Sequence, residues 1–163
     1  MTAYQANLDA SSTSEQLIDE MIPDTRTINH IEVIENVIDT LAQKDSAMVS
    51  HPEEGGYLWK FNYGSVEVFV QLTGTTDEDT LTVWSAVLPL PAKDEPKLTR
   101  QLLEMNCTST FEARFGIIEN KVVVLANRTL AEISPGEVSR AITIVATLAD
   151  DHDEAFQSAF GMS

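Results

Sequence analysis

Between Tyr57 and Leu88 the chain alternates apolar and polar residues with a period of two, and on both sides of that stretch the period lengthens to a helical one. Tyr57, Trp59, Phe61 and Tyr63 alternate with Leu58, Lys60 and Asn62. After Gly64-Ser65, Val66, Val68, Val70 and Leu72 alternate with Glu67, Phe69, Gln71 and Thr73. After a polar turn at Gly74 to Glu78, Leu81, Val83, Ser85 and Val87 alternate with Thr82, Trp84, Ala86 and Leu88. Three alternating runs joined by short turns predict an antiparallel meander. Pro89 and Pro91 close it, because proline has no N–H for the ladder.

The flanks read as helices. Ile31, Ile34, Val37, Ile38 and Leu41 recur at spacings of three and four after Asn29 and Glu32, a pair suited to a capping box, and predict a helix to about Lys44. Asp94 and Pro96 open a second helix with Leu98, Leu102 and Met105 inward. Strands follow at 109–118 and 121–127, joined by a tight turn at Glu119-Asn120. Ser134-Pro135-Gly136-Glu137 starts a final helix that carries Val138, Ala141, Ile142, Val145, Leu148 and Ala149 inward. The predicted order is α-β-β-β-α-β-β-α, an α+β domain over residues 27–163. Residues 1–26 read as a flexible polar arm with one short apolar patch, Leu17, Ile18, Met21 and Ile22, ended by Pro23. Such a patch suits docking on the body or on another subunit.

Several classes of function are disfavoured. A net charge of −16 repels nucleic acid and anionic lipid, which bind through Lys and Arg. No apolar run approaches the roughly 20 residues that span a bilayer. The first residues carry neither a basic head nor an apolar core of a signal peptide, so the cytoplasm is expected. Cys107 is the only cysteine, which excludes an intrachain disulfide and a cysteine metal cluster. No nucleophile elbow, P-loop, zinc-helix or dinucleotide fingerprint is present, so no catalytic residue and no cofactor is assigned and an enzyme is not expected.

The segments Leu102 to Asn106, Phe115-Gly116, Ser134-Pro135 and Leu148-Ala149-Asp150 carry a resemblance to the YbjN family, whose members share the type III secretion chaperone-like fold. The resemblance covers roughly 29–160. It implies a twisted antiparallel sheet covered by helices, a homodimer, and a chaperone-like grip on an extended protein client. The alternative from a different class is a small-molecule- or metal-sensing regulatory domain.

Three features compete for a site. Tyr57, Trp59, Phe61 and Trp84 concentrate aromatic surface on the meander: helices over the sheet would make them core, whereas an open face would present them to a partner. The run Asp150, Asp151, His152, Asp153 and Glu154 has oxygen ligands at helical spacing, yet such a run usually forms a solvated face, and no metal is assigned. Arg114, one of ten basic residues, is expected to pair across strands, or to meet an acidic motif of a partner.

Overall fold

Asn29, Asp94 and Ser134 each cap a helix, as their spacing predicts. The computed structural model describes residues 29–44, 47–50 and 55–162. Asn29 Oδ1 accepts from the Glu32 N–H at 3.2 Å and opens α1 (His30–Leu41). Asp94 Oδ1 accepts from the Lys97 N–H at 3.4 Å and opens α2 (Glu95–Thr108). Ser134 Oγ accepts from the Glu137 N–H at 3.1 Å and opens α3 (Pro135–Phe160). Each side chain satisfies one of the N–H groups that a helix start leaves without a partner.

The strands are β1 (Met48–Ser50), β2 (Tyr57–Tyr63), β3 (Val66–Leu72), β4 (Thr80–Pro89), β5 (Arg114–Ile118) and β6 (Lys121–Thr129). They form one antiparallel sheet in the order β1-β2-β3-β4-β6-β5. Glu119 and Asn120 both have positive φ, 47° and 61°, the mirror-image turn whose twist matches a two-residue hairpin. The α+β order is therefore the expected one with a single strand added. β1 is three residues long, too short to show an alternation in sequence.

Two boundaries move by three residues or more. α1 stops at Leu41, short of Lys44, where the Ala42 N–H closes on the Ile38 carbonyl. β5 starts at Arg114 and not at Ser109, because Ser109 caps α2 and Phe111 turns the chain with φ +53°. The arm at 1–26, with Leu17, Ile18, Met21 and Ile22, lies outside the described residues.

All the large buried side chains of the meander point to one side. Trp59, Phe61, Val68, Val70, Leu72, Leu81 and Val83 meet Ile34, Ile38, Ile142, Val145 and Ala149 from the helices. α3 lies across β4, β6 and β3, α1 packs on α3, and α2 sits against β5. Each large side chain buried here contributes about 1.5–3 kcal/mol relative to exposure.

Candidate functional site

Period-two alternation divides the predicted aromatic group between the two faces of the sheet. Trp59 and Phe61 are 2% and 0% exposed, part of the core beneath α1 and α3. They present no surface, because the helices claim their face of β2. Trp59 reaches Glu35 of α1, with Nε1 3.4 Å from Oε1. Tyr57 is half-buried and stacks on Trp59 at 5.6 Å. Trp84 alone of the four points the other way.

No described helix lies on that other face. Cross-strand register sets Lys60, Phe69, Trp84, Leu125 and Arg114 side by side across β2, β3, β4, β6 and β5. Phe69 and Trp84 stack at 5.2 Å with their planes 10° apart, and both are half-buried. The sequence places Phe69 among the aromatics of the meander but not among the candidate site residues, although its place opposite the core-facing valines of β3 is the signal that sets it beside Trp84. Gly116 lies beside Leu125, and a Cβ there would come within 2.9 Å of Leu125 Cδ2, so glycine lets Leu125 lean over the strand. Lys60 pairs with Glu67 at 3.0 Å. Arg114 Nη2 donates to the neutral Asn127 Oδ1 at 2.8 Å rather than to a carboxylate. The strand residues of this face carry Lys60, Arg114 and Lys121 against Glu67, an excess of positive charge in a chain of −16.

Exposed apolar side chains recur along α2 and the segment that follows it. Of the six large hydrophobic residues exposed among the described residues, four belong to α2, the loop after it and β5: Leu103, Phe111, Ile117 and Ile118. Leu103 and Cys107 lie on a shallow, open outer face of α2, with Pro96, Thr99, Arg100 and Glu104. Phe111 is 76% exposed and held at φ +53°, a region that bulky side chains avoid. Beside it, Asn106 blunts the sheet edge. Its Oδ1 accepts from the Phe115 N–H at 2.7 Å, and its Nδ2 donates to the Phe115 carbonyl at 3.3 Å, so an amide side chain stands where another strand would pair.

The acidic run of α3 is more than a solvated face. Asp150 Oδ1 accepts from the Ser65 N–H at 2.8 Å and lies 3.0 Å from Ser65 Oγ. Asp153 is 4% exposed, and its carboxylate oxygens lie 2.8 and 2.9 Å from the same hydroxyl. Together they fasten α3 to the β2–β3 turn. Asp151 and Glu154 are exposed, and His152 stacks on Phe156 at 5.7 Å. Among the described residues no group of three or more His, Cys, Asp or Glu side chains is placed to hold a metal ion. Nor is any described helix long and apolar enough to cross a membrane.

A small polar cleft lies between Glu112, Asn127, Arg128, Glu137 and Arg140. Arg128 pairs with Glu137, and Arg140 with Glu112 at 2.6 Å. Hydrogen bonding from Arg128 lowers the pKa of Glu137, and hydrogen bonding from Arg140 lowers that of Glu112. All four charges are matched within the cleft, which leaves none to bind an ionic ligand.

Comparison with known proteins addresses the fold and the family. The YbjN family model, described as "Putative bacterial sensory transduction regulator", matches residues 30–158. Among solved structures, a chain in "Crystal Structure of the ExsC-ExsE Complex" superposes with a TM-score of 0.53 at 20% identity, covering 76% of this chain and 90% of that one. At that identity the likeness speaks for fold alone, and the fold is the type III secretion chaperone-like one. No curated protein matches the chain.

Proposed function

The chain belongs to the YbjN family, and on that premise we propose that it is a non-enzymatic, chaperone-like protein-binding module that works as a homodimer in the cytoplasm. The observation that carries this reading is the exposure of Leu103, Phe111 and Ile117 on α2, the loop after it and β5, which follow one another in the chain. Monomeric proteins rarely leave large apolar patches bare, and such patches usually mark protein contacts.

A second copy fits that segment. Lys97, Arg100, Glu95 and Glu104 make α2 electrically neutral, whereas α1 carries Glu32, Glu35 and Asp39 without a base. Two chains of −16 approach each other at least cost through a neutral face. Arg100 and Glu104, now paired within one helix at 3.0 Å, are 83% and 66% exposed and free to exchange partners across a two-fold axis. The strain at Phe111 fits the same use, since strained residues persist where the surface has work to do.

The client face is then the open side of the sheet, where Phe69, Trp84 and Leu125 offer apolar contacts between Lys60 and Arg114. The neighbour in the ExsC-ExsE complex was itself solved as a complex, which supports a protein partner here. Tagged protein recovered from native cell extract should bring down one stoichiometric protein. Trp84→Glu should abolish that recovery and Trp84→Phe should keep it. Recovery of the same protein by a folded Trp84→Glu variant would remove the sheet face from the account.

A further inference from the structure

The sheet ends at β5, whose outward backbone groups are satisfied at one end of the strand and bare at the other. In an antiparallel ladder, alternate residues turn both N–H and C=O away from the neighbouring strand. The Asn106 amide bonds both groups of Phe115 from outside, so Phe115 and Ile117 are the residues of β5 that face away from β6. Two residues before Phe115, the Ala113 N–H donates to the Thr110 carbonyl at 3.0 Å. At Ile117, among the described residues, no side chain or loop takes the N–H or the carbonyl. The Ile117 residue is 65% exposed and Ile118 38%. We propose that Ile117 is where two copies of the chain join their sheets. β5 lies antiparallel to β5 of a second copy across a two-fold axis, and each Ile117 N–H donates to the Ile117 carbonyl of the other.

The shape of the edge selects a second copy over an extended client strand. A strand that continued from Ile117 past Phe115 would run into the Asn106 amide, which already fills that place. β5 of a second copy does not continue. In this register its Ile118 lies opposite Gly116, and Glu119 and Asn120 then turn it back toward its own β6. Gly116 presents no side chain there, so that Ile118 meets Leu125, which leans over the glycine. A two-fold contact needs a single open rung, because each copy offers the same residue to the other. Charge agrees: Glu112, Arg114, Glu119 and Lys121 make the hairpin and its approach neutral in a chain of −16. A bare N–H and carbonyl beside exposed isoleucines also invite uncontrolled pairing, which a closed two-fold contact removes.

The inference rests on the homodimer reading above and adds the backbone contact within it. Because the Ile117 N–H takes no part in the β5–β6 ladder, Ile117→Pro removes the donor and leaves that ladder whole, as proline is tolerated on an edge. Light scattering of the full chain over a dilution series should give a dimer dissociation constant at least about tenfold higher for Ile117→Pro than for the parent. Ile117→Ala, which trims the side chain and keeps the N–H, should pair more tightly than Ile117→Pro. Amide hydrogen exchange of the unaltered chain gives a check that needs no variant to fold. Exchange at Ile117 should slow at least about tenfold between concentrations at which the chain is single and those at which it is paired, while Val124 changes little. Equal exchange at Ile117 in the two regimes would overturn the proposal, as would a folded Ile117→Pro chain that pairs as tightly as the parent. If Leu103→Asp separated the copies while Ile117→Pro spared them, the homodimer reading would stand and the edge contact would fall. A chain that stayed single at every concentration would remove both. Masses growing beyond two chains would overturn the closed contact, by showing open-ended strand addition at this edge.

Discussion

Gly64 and Asp150 show how much one residue pair decides. Gly64 has φ +53°, and any Cβ there would collide with the Asp150 carboxylate that holds the turn. Gly64→Ala is expected to lower stability by about 1–3 kcal/mol, read as a drop in the urea midpoint. The turn before β4 works alike. Asp79 accepts from the Thr76 hydroxyl at 2.7 Å, the Thr76 N–H at 2.9 Å and the Thr73 hydroxyl at 3.0 Å. Those bonds, the Thr76 hydroxyl first, lower its pKa, as Arg128 and Arg140 do for Glu137 and Glu112. A carboxylate with a lowered folded pKa binds fewer protons folded than unfolded near that pKa. Its contribution is therefore complete above the ordinary carboxylate range, about pH 4, and is lost as pH falls through the folded value. Asp79→Asn should be less stable than the parent at pH 7, and the gap between their urea midpoints should narrow as pH falls from about 5 to 3. A gap that does not narrow at all over that range would assign the effect to the turn's shape rather than its charge.

Elements were legible in the sequence where a cap or a long alternation marked them. All three caps read in advance carry the hydrogen bonds expected of them, and β2, β3 and β4 follow their alternation. β1 and the start of β5 were not legible, because three residues give no period and a capped helix end mimics a strand approach. The residues that name the family prove to be architectural. Leu102 and Phe115 are core, Asn106 fills the edge of β5, Gly116 makes room for Leu125, and Asp150 fastens a turn. That is why they identified a fold but no site. The candidate surface was half legible: Trp84 could be named, while separating it from Trp59 and Phe61 required knowing which sheet face the helices cover. Asn106→Ala leaves the Phe115 N–H and carbonyl without partners and is expected to cost about 1–3 kcal/mol. Hydrogen exchange should then quicken at Phe115 while Val124, inside the sheet, stays protected.

At the scale of the molecule, strong negative charge coexists with two sets of exposed apolar side chains. Charge keeps such chains apart except where it is locally balanced, and α2 is balanced while the open sheet face is positive. A module that pairs through one surface and holds a protein segment on the other is the arrangement that uses both. The central claim is that the segment running through α2, Phe111 and β5 joins two copies. Light scattering of the full chain at micromolar concentration tests it directly. The account predicts twice the chain mass of 18.0 kDa, falling to one chain mass in Leu103→Asp with its secondary structure intact. A strict monomer for the unaltered chain, or a dimer indifferent to Leu103→Asp, would contradict it.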